Sequence, residues 1–186
     1  MCSKEEQREF LKNQIKYDFG NVFYTYVAHH ICADRLEKLA RWLNLALIAL
    51  IAVTSTGILG ILVNIKTDYY QFVRVVPAVA SVAALFLKLY LMEFKPHDEA
   101  VKHRNAANDL WEIRQEYMSV ITEFKSLDDS EIQQERHKLC EKVAVVNKHY
   151  PAPDPKSYEA ARKSIKEKIY TFDEGEFEDL LPKGID

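Results

Sequence analysis

Cysteine is scarce in this sequence and poorly placed for structural chemistry. Cys2, Cys32 and Cys140 are odd in number, far apart, and form no CxxC pair. That argues against a disulfide framework or a zinc site and fits a reducing compartment. Glycine is also rare, with five residues in 186, and the long helical patterns read as free of proline breaks, which favours an all-α chain. No sign of charge dominates. The formal net charge of −3 gives no global field for duplex nucleic acid or an anionic surface. Catalytic signatures are missing too: there is no GxSxG, no glycine-rich phosphate loop and no HExxH. His29–His30 and His97–Asp98 bring no converging ligand set, because adjacent residues on a helix point in different directions; the first pair reads as packing or interfacial and the second as a helix start. No metal, no cofactor and no enzymatic activity is expected.

Long apolar runs are what the sequence does have. Trp42 to Val63, WLNLALIALIAVTSTGILGILV, carries no charge and is long enough to cross a hydrocarbon core of roughly 30 Å. After a polar turn holding Lys66 and Asp68, Val73 to Met92 is apolar again, interrupted by Arg74 near its start and Lys88 near its end. A backbone in lipid must satisfy its own hydrogen bonds, so both runs are predicted to be helices. The first run begins too far into the chain to read as a cleaved signal. Arg35, Lys38 and Arg41 precede the hairpin and Lys95, Lys102 and Arg104 follow it, so the positive-inside bias puts both termini in the cytoplasm. Trp42 and Tyr69–Tyr70 stand where interfacial aromatics belong.

The expected architecture is an integral membrane two-helix hairpin with a cytosolic helical bundle. It divides into residues 1–41 (cytosolic helices), 42–92 (hairpin, spans about 42–63 and 73–92), 93–170 (helical domain) and 171–186 (acidic tail). Phe10, Leu11, Ile15 and Phe19 make a first helical stripe, and Gly20–Asn21 reads as a break. From His97 to Phe124, residues Ala100, Ala107, Leu110, Tyr117, Ile121 and Phe124 fall on heptad a and d positions, with His103 and Arg114 in the same seam. The stretch Leu127 to Glu131 stops that helix and caps the next, which buries Ile132, Leu139, Cys140, Val143 and Val146. Prolines at 151, 153 and 155 end it, and a last helix runs from about Pro155 to Tyr170. The tail, FDEGEFEDLLPKGID, is too polar for a core of its own; it is either disordered or docked on a basic face.

Small residues recur on the spans: Ala52, Thr56 and Gly60 on the first, Ala80 and Ala84 leading to Lys88 on the second. Such stripes let membrane helices approach closely; they serve either the hairpin itself or, the preferred reading, a homo-oligomer packed through Ala52, Gly60 and Ala80. Lys88 lies about a turn from the cytosolic end, and two readings of it stand. It snorkels to the headgroups, or it sits with Asn44, Thr56 and Ala84 along the lumen or mouth of a pore.

The order of parts, with HDEAVKHRNAANDLWEIRQEY after the hairpin and KHYPAPDP at the later turn, resembles the SLATT family over roughly Tyr24 to Tyr170. These are two-transmembrane effector domains encoded beside bacterial nucleotide-second-messenger synthases in anti-phage and conflict systems. The resemblance implies an effector that oligomerises in the bacterial inner membrane and permeabilises it, controlled by the nucleotide or short-oligonucleotide product of a nucleotidyltransferase. Arg114, Arg136, Lys142, Arg162 and Lys163 are the candidate phosphate partners, since cations on rigid helices suit polyanions. The competing expectation is a non-conducting membrane anchor that recruits a cytosolic partner through its helical domain and acidic tail.

Overall fold

The computed structural model describes residues 4–62 and 70–167. The turn between the spans, with Lys66 and Tyr69, and the acidic tail lie outside these residues, as does the expected end of the last helix at 168–170. Five α-helices follow one another: α1 (Lys4–Leu62), α2 (Tyr70–Phe94), α3 (Pro96–Glu123), α4 (Asp129–His149) and α5 (Pro155–Lys166). There are no strands among the described residues, and the fold is all-α. Two compact units result: Met1–Cys32 with Lys102–Asp186, and Ala33–Val101.

The first unit is a helical bundle. Ile15 and Val22 of α1 pack with Leu110, Ile113 and Tyr117 of α3 and with Ile132, Leu139 and Val146 of α4. The three α4 residues are seven apart, so one stripe of that helix meets the core. α5 closes the other side, setting Ala161 against Val27 and Ala28. Gly20 does not break α1, contrary to the sequence expectation. A helical glycine costs roughly 1 kcal/mol against alanine. Burying Ile15 and Val22 on either side stabilises the helix by about 1.5–3 kcal/mol each and outweighs that cost. The N-terminal stripe is also narrower than expected: Leu11, Ile15 and Phe19 pack inward, whereas Phe10 is 69% exposed.

Local chemistry sets the helix ends as its residue types demand. Asp128 caps α4, accepting from the N–H groups of Ser130 and Glu131 at 2.8 Å, while Glu131 accepts from the N–H of Asp128 at 2.9 Å. Asp154 caps α5, with Pro155 in its first turn, where a missing N–H costs nothing. Arg8 of α1 closes the end of α3. Its guanidinium donates to the carbonyls of Phe124 (2.8 Å) and Leu127 (2.9 Å) and pairs with Asp129.

The second unit is the hairpin. On α1 the inward residues are Ala33, Leu36, Ala40, Leu43, Leu47, Leu50, Thr54 and Gly57; on α2 they are Pro77, Ala80, Ala84, Leu87 and Leu91. Both sets alternate by three and four, the spacing of two antiparallel helices with a left-handed crossing. Gly57 meets the ring of Pro77 so closely that a Cβ there would overlap it. Pro77 lies inside α2, a proline within a span that the sequence reading passed over; transmembrane helices tolerate it where a neighbour packs on the freed backbone.

The outside of this hairpin is apolar. Ile48, Ile51, Leu59, Val79, Leu85 and Phe86 are each more than half exposed. None of the most apolar 18-residue stretch of α1 is buried, and only 11% of that of α2. A soluble core hairpin would bury these faces, because water penalises each exposed aliphatic side chain by about 1.5–3 kcal/mol. Lipid is the solvent that such a surface requires.

Candidate functional site

Polar side chains within the spans are few, and most are satisfied locally. The hydroxyls of Thr54, Ser55 and Thr56 donate to the carbonyls of Leu50, Ile51 and Ala52, at 2.9, 2.9 and 3.1 Å. Ser81 donates to Ala78 at 2.8 Å. Thr56 and Ala52 lie off the hairpin seam, on the exposed side of α1. Ala80 is buried in the seam and Ala84 half-buried beside it. Gly60 lies within α1, and its surroundings are outside the described side chains.

Asn44 and Lys88 come together. They line one cavity of about 260 Å³ with Ala40, Leu91, Met92, Lys95, Pro96, His97 and Asp98. Lys88, Leu91 and Met92 are spaced i, i+3, i+4 on one face of α2, and Lys95 follows the last residue of that helix. Lys95 ends that helix with φ of 39°, a left-handed conformation that costs a non-glycine residue about 1 kcal/mol or more. Pro96 follows it, and its ring disfavours the right-handed helical conformation at Lys95.

In the bundle, the five candidate phosphate partners divide sharply. Arg136 pairs with Asp18 at 3.2 Å. Lys142 reaches both oxygens of Glu116, at 2.5 and 2.6 Å. Lys163 lies 3.8 Å from Glu167 on its own helix. Arg114 is held against the rings of Trp111, Phe23 and Phe19, 4.8, 5.0 and 5.8 Å from their centroids. Arg162 alone among the five has neither an acid nor a ring partner among the described residues. It lines an open groove of about 950 Å³ with Tyr24, Tyr158, Glu159, Asn21, Pro153 and Pro155.

Buried polar contacts tie the same bundle together. His29 and His103 are 3% and 5% exposed, and their Nδ1 atoms are 3.0 Å apart. One ring must donate and the other accept, so the contact needs at least one neutral imidazole. Burial pushes the His29 pKa down to about 4, and the charge of His103 pushes in the same direction. Its neighbour His30 meets Arg104, 3.1 Å away. The Cys32 thiol donates to Asp154 at 3.6 Å, and the Ser157 hydroxyl donates to the same carboxylate oxygen at 3.0 Å, joining α1 to the proline turn. Burial raises the Cys32 pKa, so the thiol is protonated and inert at neutral pH. The paired histidines therefore pack, as expected for His29 and His30, but each does so against a separate partner on α3.

Residues 11–176 match the family described as the SMODS and SLOG-associating 2TM effector domain family 4. The chain belongs to this family. The comparisons with curated proteins and with solved structures each found no match. The helices of this SLATT domain long and apolar enough to cross a membrane are those of the α1–α2 hairpin, and the N-terminal half of α1 joins α3, α4 and α5 in the bundle. It is a membrane effector domain by family, and its fold is not that of a known enzyme. Tyr24, Tyr158 and Lys95 escaped the sequence reading of this SLATT domain as site residues. The nearness of Lys95 to Lys88 at the end of the second span was a usable signal; the groove shared by Tyr24 and Tyr158 was not, because they lie on α1 and α5.

Proposed function

We propose that this SLATT domain is a homo-oligomeric pore of the bacterial inner membrane, with both termini cytoplasmic. A nucleotide or short-oligonucleotide signal, the product of a nucleotidyltransferase, binds the cytosolic helices and gates it, and the permeabilised cell arrests or dies. One observation carries this reading: a membrane effector by family presents a hairpin whose apolar outer faces carry the off-seam residues Ala52 and Thr56. Small side chains on an outward face suit contact with a second copy, since helices in lipid associate by close packing. Asn44 and Lys88 lie toward the cytosolic mouth of such a pore, with Thr56 deeper; Ala84, half-buried in the hairpin seam, packs between the two helices instead.

The groove around Arg162 supports the placement of the signal. A guanidinium with no acid or ring partner among the described residues offers a phosphate charge-assisted hydrogen bonds, and Tyr24 and Tyr158 offer faces on which a base stacks. Arg136, Lys142 and Lys163 are engaged with acids and Arg114 with rings, so they would have to release those partners first. Gating further requires that the signal bind one state more tightly than the other; a shift from 1:99 to 99:1 takes about 5.5 kcal/mol of difference.

Ion and dye flux from liposomes carrying the purified oligomer, with and without nucleotide products, tests the reading. Product-dependent flux that Arg162→Ala weakens at least tenfold in signal concentration is the expected result. A specific observation favours the anchor as second reading: the hydroxyls of Thr54, Ser55 and Thr56 are satisfied within α1 and demand no water-filled lumen. Absence of flux under every condition, from inserted oligomers, selects the anchor.

A further inference from the structure

The cavity at the base of the hairpin brings two lysines and an amide together where the helix packing ends. On α2 it is lined by Lys88, Leu91 and Met92, with Lys95 just past the helix end, and on α1 by Ala40 and Asn44. Ala40, 4% exposed, lines it from α1 with a single methyl. Lys88 and Lys95 have no acid partner among the described residues, although both lie at the end of a span where an unpaired ammonium finds little water on its membrane side. Both line the cavity, Lys88 from near the end of α2 and Lys95 from just beyond its last residue.

We propose that this cavity is a binding site for the headgroup of an anionic phospholipid, whose phosphodiester lies between Lys88 and Lys95. The chemistry at each position fits that ligand. The two ammonium groups and the Asn44 amide donate to phosphate oxygens. Leu91 and Met92 line the path by which the glycerol and upper acyl chains leave toward the bilayer. Asp98, also in the lining, repels a second phosphate and accepts from a hydroxyl, which selects a hydroxyl-bearing headgroup such as phosphoglycerol over a bare phosphate monoester. His97 beside it supplies a further ring nitrogen. Basic pockets between membrane helices on the cytoplasmic side have the charge and position to hold such groups. The near-balanced charge of the whole chain does not oppose this, because the attraction is local and falls off within a Debye length. The site requires only that the hairpin sit in a bilayer, so it stands or falls separately from gating by a nucleotide.

The test uses the full chain in phosphatidylcholine vesicles with a minor fraction of spin-labelled phosphatidylglycerol, reading the immobilised fraction by electron paramagnetic resonance. The native protein should immobilise phosphatidylglycerol in preference to labelled phosphatidylcholine. Lys88→Gln and Lys95→Gln should each lower that preference at least about fivefold, the loss of one charge-assisted hydrogen bond to the phosphate. Ala40→Leu should abolish it by filling the hollow while every charge remains. Lys38→Gln with Arg41→Gln, which removes two cytosolic-side charges outside the cavity, should change it by less than twofold. If that control loses as much as the lysine variants, or Ala40→Leu loses nothing, the attraction is diffuse and the site is overturned. Displacement of the labelled lipid by millimolar inorganic phosphate would overturn it in favour of a soluble phosphate ligand. Should Ala40→Leu fail to fold, the lysine variants against the control decide alone.

Discussion

The bundle and the hairpin are packed on similar heptad spacing with different contents. In the bundle, large side chains are fully enclosed: Ile15, Leu110, Tyr117, Ile132 and Leu139 are all less than 2% exposed. In the hairpin the buried positions of the seam are small or rigid, Ala33, Ala40, Gly57, Pro77 and Ala80. The leucines between them, Leu43, Leu47, Leu50 and Leu87, are only half buried, and most other large side chains turn outward. Water drives the first arrangement, because each buried aliphatic group is withdrawn from it. Lipid removes that drive, and helices then associate through close approach of backbones. One period in the sequence thus encodes two different kinds of interior, told apart only by which residues occupy it.

The largest test of this contrast is truncation on each side. Leu110→Ala should destabilise the bundle by about 2–5 kcal/mol, as expected for a leucine deleted from a closed core. Leu85→Ala on the outer hairpin surface, where the side chain is 60% exposed, should change stability by no more than about 0.5 kcal/mol. Denaturation in bicelles, followed by circular dichroism, compares them directly. Equal losses would mean that Leu85 is buried by a second copy and would locate an oligomer contact.

The hairpin has its own breaking point at Gly57. Gly57→Val drives side-chain atoms into the Pro77 ring and should cost about 1–3 kcal/mol. Pro77→Gly in the same chain should recover most of that loss, because it removes both the Cβ and the Cγ that obstruct position 57, the coupling expected of residues in contact. Additive losses in the double variant would show that the two do not meet.

Acid should act on the bundle through His29. His29 titrates near 4 in the folded chain and near 6.5 unfolded, so between these values the unfolded chain binds more protons. Stability from the neutral imidazole is fully present above pH 6.5, falls with pH, and is lost by about pH 4. The change is about 2 kcal/mol once solvent screening is allowed for. Unfolding midpoints at pH 7 and pH 5 should differ more for the native chain than for His29→Leu. An identical pH response in the two would exclude His29 as the source.

Much of this protein was legible in consecutive residues. The spans are uncharged runs, the cap at Asp128 and Glu131 is a four-residue pattern, and the α4 stripe repeats every seven positions. The i, i+4 small-residue stripe was visible too, but it marked Ala52 and Thr56, whereas the hairpin seam runs through Gly57. Periodicity finds a stripe without saying what it faces. Gly20 misled for a related reason: its intrinsic cost is local, and the core that overrides it is assembled from α3 and α4.

By itself, then, the sequence determined the all-α class, the two membrane helices, the caps and the proline turn, because each depends on the chemistry of neighbouring residues and a solvent. Tertiary structure decided which of five candidate cations was left without an acid or ring partner, that His29 would meet His103, and that Lys88 would share a cavity with Asn44. Those pairings join positions far apart along the chain, and only the packing of several helices at once brings them within reach.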